Sequence, residues 1–256
     1  MRTVEKALRL MDHFDDQTPE RGLSDLARRA GLDKATTLRM LTDLAATGLV
    51  EQDPASRAWR LGAGVLRLAR LREAAFPVAA VIQPILDRLA AETGETAHAS
   101  LRAGRDLATV GTADSPRAAR VTIEPGLILP LHATASGLAY LAFARPEVQA
   151  EVQARPLAAH TPATPVTAAA LAARLDRTRA EGYGMADQTY EAEVIGLARP
   201  IFGPDGYATG AIAVASPASR FDAALKARIL AALGPAACAA STGLGGRPPA
   251  HLTFAA

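Results

Sequence analysis

The chain has 256 residues, of which 49% are apolar, and it carries 28 Lys and Arg, 26 Asp and Glu and one cysteine, Cys238. The length and apolar content favour two packed domains, the single cysteine excludes an internal disulfide and a cysteine-based zinc site, and the net charge of +2 gives no overall sign of a nucleic-acid partner. Charged residues interrupt the first apolar stretch, and no run reaches the roughly 18 apolar residues of a membrane span, so we expect a cytoplasmic protein without a membrane partner.

Residues 1–62 predict three helices, two of them forming a helix-turn-helix. A helix over 3–14 precedes a short second helix that Ser24 can cap. Gly31 follows where a helix end favours a left-handed residue, and Asp33 can cap a third helix. The short connection has the length of a helix-turn-helix corner, so we expect a DNA-binding domain.

The third helix should have a buried face and a DNA-facing side. Leu38, Leu41 and Leu44 recur at helical spacing and predict the buried face. Short hydroxyls and basic groups near a helix N-terminus suit base edges and phosphates in a major groove. The residues expected to enter the groove are Lys34, Thr36, Thr37 and Arg39.

Two extended runs after this helix predict a hairpin in the position of a wing. They cover 48–52 and 58–61, with Pro54 in the turn between them. Four residues of the second helix and the wing are expected to contact the DNA backbone or the minor groove: Ser24, Arg28, Arg57 and Arg60. An arginine run without acidic residues continues to Arg72 and can neutralise phosphates. A solvated arginine-rich face without a partner is the alternative.

A linker helix over 63–75 should connect this domain to the next. Val65, Leu68 and Leu71 form a narrow apolar stripe along it. Such a stripe can pair with a second copy in a dimer or lie against its own domain. Pro77 then marks a boundary.

Residues 76–245 predict an α+β domain with an antiparallel sheet and flanking helices. Helices are expected over 79–93, 134–144, from 146, and over 167–181 and 222–241; strands are expected over 96–101, 107–112, 120–123, 194–202 and 209–215. This order fits a sensor domain whose ligand pocket lies beneath loops. The tail, 246–256, is predicted to be disordered.

The sequence gives little support for catalysis. Ser136 superficially resembles a nucleophile in a tight turn, but Thr134 and Leu138 occupy the positions where that motif needs glycine. Cys238 lies in an alanine-rich helix and is expected to be a small buried residue. We therefore predict no enzyme.

The histidines do not have ligand spacing, and no P-loop or metalloprotease motif occurs. His132 is expected at a strand end, bonded to a neighbouring loop. A metal site that combines it with His98 and a carboxylate stays open only because folding could bring them together. We predict no metal and no cofactor.

Two segments resemble the IclR family of bacterial transcriptional regulators. They are PLHATASGLAYLAF at 130–143 and GYGMADQTYEAEVIGLARPIFGPDGYATGAIAVASPASR at 182–220. Together with the N-terminal domain, the resemblance covers residues 3–245. It implies a winged helix-turn-helix that binds operator DNA and a GAF-like domain that binds a small organic effector. It also implies a homodimer or a dimer of dimers, acting as repressor or activator.

The resemblance also implies an effector pocket. Carried over by position, its residues are Ala135, Ser136, Gly137, Asp187, Gly196, Ala213 and Ala215. The start of the helix at Ser136 can bind an anion. Some family members have hydroxyl or thiol side chains at the positions of Gly196, Ala213 and Ala215, so the pocket floor should be less polar here. We therefore expect a larger or more apolar effector, such as an aromatic acid.

Two other functions remain open. One is a DNA-binding oligomer without an effector response. The other is a small-molecule-binding protein or hydrolase with an incidental helical head.

Overall fold

The computed structural model describes residues 3–15 and 17–249, and the chain divides between Pro77 and Val78 into two units. The elements of the first unit are α1 (Thr3–Arg9), α2 (Leu23–Ala30), α3 (Lys34–Ala46), β1 (Val50–Gln52), β2 (Trp59–Leu61) and α4 (Ala63–Ala75). This is the predicted winged helix-turn-helix.

The core of the first unit confirms the helices but changes their phase. Met40 and Leu41 of α3 are buried, whereas Leu38, predicted to be buried, is 42% exposed. The first helix ends at Arg9, five residues before the predicted end, and a 3₁₀ turn follows. Leu10 is fully buried at that bend. Leu41 and Leu44 are buried as predicted, so of the three leucines only the prediction for Leu38 was wrong.

The wing is a two-stranded antiparallel hairpin. Trp59 pairs with Gln52, and its backbone also exchanges two hydrogen bonds with Arg21 (2.9 and 2.8 Å). After the hairpin, Gly62 and Gly64 let the chain pass directly against the Gly48 carbonyl, where any side chain would collide. The helix that follows, α4, has no buried residue.

The second unit is a six-stranded antiparallel sheet between two layers of helices. Its elements are α5 (Val78–Thr93), β3 (Thr96–Ala103), β4 (Asp106–Ala113), β5 (Ile128–Leu129), α6 (Ala135–Ala142), α7 (Pro146–Gln153), α8 (Ala168–Glu181), β6 (Gly184–Asp187), β7 (Val194–Phe202), β8 (Ala208–Pro217) and α9 (Ala223–Gly243). The strand order is β5-β4-β3-β8-β7-β6. The predicted α+β class is confirmed.

The two faces of the sheet are covered by different helices. On one face, α5 and α9 supply the larger core, with Leu86, Ile229 and Leu233 buried against strand residues such as Ile212. On the other face, α6 is buried along its whole length and packs with α7 and α8. The α6 face is the one that carries the cavity described below.

Several local predictions differ from the structure. The strand β6 was not predicted, and no strand forms over 120–123. Gly246, the first residue of the tail predicted to be disordered, is buried, and its N–H donates to the Ser241 carbonyl (2.7 Å). Residues 250–256 of that tail lie outside the described residues. Cys238 is exposed, contrary to expectation.

The helix α9 is the one described helix that, taken singly, is long and apolar enough to cross a membrane. Of its most apolar window, 39% is buried inside the unit. Its buried side packs against α5 and the sheet. A core helix of a folded domain has these properties too.

Candidate DNA interface and effector cavity

The helix-turn-helix corner is fixed by one glycine and one aspartate. Gly31 ends α2 in the left-handed region (φ 65°). Asp33 begins α3, with its carboxylate accepting from the Thr36 N–H at 2.8 Å. That bond stabilises the ionised carboxylate and lowers the pKa of Asp33. The two predicted corner residues therefore hold α3 in place by the expected contacts.

The exposed side of α3 differs from the predicted one. Lys34 and Arg39 are exposed, and Thr36 is partly exposed. Thr37 is fully buried and donates its hydroxyl hydrogen to the Asp33 carbonyl at 2.9 Å. It therefore supports the packing of α3 and is not available at the surface. Leu38 lies on the outer side of α3 instead.

The outer side of α3 is a continuous stripe. Residues separated by three and four positions share one face of a helix. Ala35, Leu38, Arg39 and Thr42 have this spacing, and all four are exposed. We call this set the outer stripe. It presents one cation, one hydroxyl and two apolar side chains.

The other predicted DNA contacts have different surroundings. Ser24 is exposed, but it lies inside α2, whose N-cap is Gly22. Arg28 is 73% exposed and contacts Asp25. Arg60 is bound to Glu51 (2.7 Å) and Glu20 (2.9 Å).

Arg57 is exposed at the tip of the wing, in the left-handed region at φ 61°. The turn below it is tied by Asp53, whose carboxylate accepts from the Ser56 N–H (2.7 Å) and hydroxyl (2.9 Å). These bonds lower the pKa of Asp53. The wing tip therefore presents an arginine on a well-ordered turn.

The second unit contains a cavity between the sheet and the start of α6. Its volume is about 60 Å³, inside a recess that has about 520 Å³ of empty space when its open mouth is counted. The lining residues are His98, Val121, Ile123, Leu127, Leu129, Thr134, Ala135, Ser136, Ala186, Tyr190, Glu191, Val194, Gly196, Ala213 and Ala215.

Five of the seven predicted effector residues line this cavity: Ala135, Ser136, Gly196, Ala213 and Ala215. Two do not. The Gly137 N–H donates to the Thr134 hydroxyl at 3.0 Å, because Thr134 is the N-cap of α6, so this N–H is not available to a ligand. Asp187 is exposed on the edge strand β6.

The floor of the cavity consists of small residues because α6 lies close to the sheet. A Cβ added at Gly184 would stand 2.5 Å from the Ala135 carbonyl oxygen. A Cβ at Gly196 would stand 3.1 Å from the Ala135 Cβ. Ala213 is buried in the same cluster. The predicted loss of polar groups from the floor therefore coincides with close helix–sheet packing.

Four polar lining residues were not predicted as pocket residues: His98, Thr134, Tyr190 and Glu191. His98 is 6% exposed, and its Nε2 lies 3.1 Å from the Ser136 Oγ. Burial lowers the pKa of His98 to about 4, so the ring is neutral at physiological pH. His98 and Ser136 are far apart in the sequence, so no local sequence pattern predicts that they are neighbours.

The wall that carries Tyr190 is tied to a neighbouring loop. The Tyr190 ring stacks edge-on against His160, with centroids 5.0 Å apart. The Thr189 hydroxyl donates to the Ala133 carbonyl at 2.6 Å. His132 lies within hydrogen-bond distance of the Ala158 carbonyl (2.8 Å), which is the predicted bond to a loop, but it stands in a turn and not at the predicted strand end. Within the ranges described, no group of three or more potential ligand side chains could hold a metal ion.

The segment 114–127, here called the cavity loop, covers the cavity from the side of β3 and β4. The Thr96 hydroxyl donates to the Val121 carbonyl (2.7 Å), and Arg220 donates to the Ala119 carbonyl (2.7 Å). Arg220 is also paired with the buried Glu95, at 2.6 and 2.7 Å. These bonds hold Val121 and its neighbours in the cavity wall.

Comparisons with known proteins agree with this architecture. A family model for the IclR helix-turn-helix domain matches residues 3–54, and one for the bacterial transcriptional regulator IclR C-terminal domain matches residues 74–242. The chain is 35% identical to the glycerol operon regulatory protein of Streptomyces griseus over 227 residues, which are 88% of this chain and 89% of the relative.

Two solved structures extend the comparison over nearly the whole chain. A putative IclR transcriptional regulator from Silicibacter sp. TM1040 has 42% identity and a TM-score of 0.89, covering 97% of this chain and 98% of that one. An IclR homologue from Microbacterium hydrocarbonoxydans, complexed with 4-hydroxybenzoate, has 25% identity and a TM-score of 0.75, covering 95% and 99%.

Proposed function

This chain belongs to the IclR family of bacterial transcriptional regulators, and we propose that it binds operator DNA in response to a small organic acid. The observation that carries the proposal is the pairing of an exposed outer stripe on α3 with an apolar cavity in the second unit. The first supplies a surface for the major groove, and the second supplies a site for an effector. We further propose a cytoplasmic protein.

In the proposed DNA complex, the outer stripe enters the major groove. Arg39 suits the O6 and N7 atoms of a guanine, and Lys34 at the helix start suits a phosphate. Leu38 and Ala35 offer apolar surface to thymine methyl groups. Thr36 is retained as a partly exposed contact, and Thr37 is left out because it is buried.

Around the groove, Ser24 and Arg28 of α2 are proposed to contact the backbone, and Arg57 is the proposed wing contact. Arg60 is a weaker candidate because two carboxylates already neutralise it. The exposed leucines of α4, Leu66 and Leu71 among them, support pairing of two copies. Two winged helices would then match two half-sites about one helical turn, or a multiple, apart.

The proposed effector lies in the cavity, with an acidic group at the start of α6. The amide N–H groups of Ala135 and Ser136 are the first of the helix and suit an anion. Apolar lining residues such as Ile123, Leu127 and Leu129 suit an aromatic or aliphatic body. The 4-hydroxybenzoate bound by the Microbacterium hydrocarbonoxydans homologue supports an aromatic acid as one candidate. Gly196, Ala213 and Ala215 would form the floor.

Fluorescence anisotropy tests the DNA part of the proposal. The duplex is taken from upstream of the protein's own gene, with an unrelated duplex of equal length beside it, over a salt series. We expect tight, sequence-selective binding that weakens steeply with salt. Equal, weak binding to operator-length fragments from the whole genome would contradict the proposal.

The wing offers a matched pair of variants for the same assay. Arg57→Ala should reduce the salt slope by about 1 for every sequence, because one phosphate contact is lost. Arg60→Ala should change it less, since its charge is already paired. If Arg60→Ala reduced the salt slope more than Arg57→Ala, the assignment of Arg57 as the wing contact would be refuted.

The effector part is tested by adding candidate acids to the preformed complex. A differential affinity for the two states of the protein typically shifts DNA binding by about 1–3 kcal/mol. DNA binding that no acid changes would favour the alternative, a DNA-binding oligomer without an effector response.

One observation bears on the hydrolase alternative. The 3.1 Å distance from His98 Nε2 to Ser136 Oγ is that of a nucleophile and its base. However, the other ring nitrogen, Nδ1, has no orienting partner among the described residues, and a base with a pKa near 4 is weak at neutral pH. Turnover of an activated ester that Ser136→Ala abolishes would support hydrolysis.

A further inference from the structure

A buried histidine connects the sheet to the start of α6. His98 belongs to β3 and is 6% exposed, and its Nε2 lies 3.1 Å from the hydroxyl of Ser136, the second residue of α6. Both residues line the cavity. His98 is not among the residues that the family resemblance assigns to the effector.

The unpaired ring nitrogen of His98 fixes where the ring proton is. Nδ1 is buried and has no hydrogen-bond partner in the described part of the chain. A proton there would be a buried donor without an acceptor, which native proteins rarely tolerate, whereas an unpaired acceptor is tolerated better. The proton is therefore on Nε2, and Nε2–H donates to the Ser136 oxygen. Burial supports this state, since a pKa of about 4 keeps the ring neutral.

This arrangement turns the Ser136 hydroxyl into a donor. Its oxygen already accepts from His98, and its hydrogen has no acceptor among the described residues, so the hydrogen can be donated to a ligand. The N–H groups of Ala135 and Ser136 add two donors at the same end of the helix. No Lys or Arg is found among the described residues that line the cavity, and Glu191 is exposed at its wall. A ligand carboxylate is therefore favoured at α6 and disfavoured near Glu191.

We propose that His98 is a positioning residue which, by donating to Ser136, makes the start of α6 select carboxylates over their neutral isosteres. The inference rests on the proposed effector function and deepens it. It assigns the ligand a carboxylate at the α6 end and an apolar body along the cavity loop.

Isothermal titration of the full chain with benzoate, phenylacetate and 4-hydroxybenzoate, each beside its primary amide, tests the selectivity. We expect at least one acid to bind, and to bind about tenfold or more tightly than its amide, because an anion strengthens each of these hydrogen bonds. Binding of no acid, or equal binding of acid and amide, would overturn the proposal.

A double-mutant cycle tests the route through Ser136. His98→Phe and Ser136→Ala should each weaken the acid about tenfold, and the double variant should lose no more than either single one. His98→Gln should recover most of the affinity, since its amide nitrogen can donate from nearly the position of Nε2. His13→Gln in the first unit is the control and should change nothing. Additive losses would show that His98 acts independently of Ser136.

A readout without ligand separates this inference from the proposed function. In ¹⁵N–¹H spectra of histidine-labelled protein, we expect His98 to carry its proton on Nε2 and to stay neutral through pH 5. A proton on Nδ1, or titration near the ordinary value, would overturn the inference. Operator binding measured in the same sample reports independently on the regulator function.

Discussion

Leu38 on the outer side of α3 should read a thymine methyl group. It is 42% exposed and lies on the outer stripe beside Ala35, Arg39 and Thr42. In the major groove, thymine presents a C5 methyl group that uracil lacks, and apolar side chains recognise it. Two perturbations remove this contact from opposite sides: Leu38→Ala, and replacement of thymine by uracil.

The magnitude follows from the exposed fraction. Full burial of a leucine side chain stabilises by roughly 1.5–3 kcal/mol. With 42% of Leu38 still exposed, the groove can bury at most that share, which corresponds to about 0.6–1.3 kcal/mol per half-site. This is about a three- to ninefold change in Kd per half-site.

The assay is anisotropy on a site selected from a random duplex library. Each thymine of the site is exchanged for uracil in turn. We expect one exchange per half-site to weaken wild-type binding and to have no effect on Leu38→Ala. Val166→Ala, a truncation of a 49% exposed residue in the second unit, is the control. If Leu38→Ala binds as tightly as the wild type and no exchange matters, Leu38 is not a base contact.

Three further predictions concern stability, measured by urea unfolding. The pKa of His98 is about 4 in the folded state and near 6.5 in the unfolded state, so the unfolded state binds more protons between these two pH values. The free energy of unfolding should therefore fall by about 2 kcal/mol from pH 7 to pH 5. The His98→Phe variant should show a weaker dependence on pH. Gly184→Ala should cost about 1–3 kcal/mol, because its Cβ would press against the Ala135 carbonyl, and an unchanged midpoint would contradict that packing. Arg220→Met should lower the free energy of unfolding by about 3 kcal/mol, because it leaves the Glu95 carboxylate buried without a partner. The double variant Arg220→Met with Glu95→Gln should regain part of this stability. If the single and the double variant lose the same stability, the ion-pair argument is contradicted.

The fold was predictable where single residues have a strong backbone preference. Gly31 and Gly182 adopt the left-handed conformation that ends a helix, and Asp33, Thr167 and Asp222 accept from backbone N–H groups as caps. These contacts are local, so the sequence is sufficient to find them. Together with the strand signals of β7 and β8, they fixed the order of most elements.

The phase of α3 was not predictable in the same way. Leu38 and Thr37 are neighbours, and hydropathy alone places the leucine inside. In the structure the threonine is inside, because its hydroxyl is satisfied by the Asp33 carbonyl one turn back. A buried threonine with an internal acceptor costs little, and the exchange moves Leu38 to the surface that faces DNA in our proposal.

The strand β6 was missed for a different reason. Its sequence, Gly184 to Asp187, is short and has little β propensity. It forms because it pairs with β7 at the sheet edge, where Ala186 lies opposite Gly196. Tertiary contact, which a sequence pattern cannot show, decides such a strand.

The cavity was predictable in part from the sequence and in part depends on tertiary contacts. The family resemblance predicted effector-pocket residues at Gly196, Ala213 and Ala215, and the small side chains at these positions predicted a less polar floor. The sheet register changes that prediction, because His98 is the cross-strand neighbour of Ala213. Directly opposed side chains on neighbouring strands share one small space, so a methyl group on β8 leaves room for an imidazole on β3. In our proposal, the polar group at the floor is therefore supplied from β3 by His98, and it acts on the effector through Ser136.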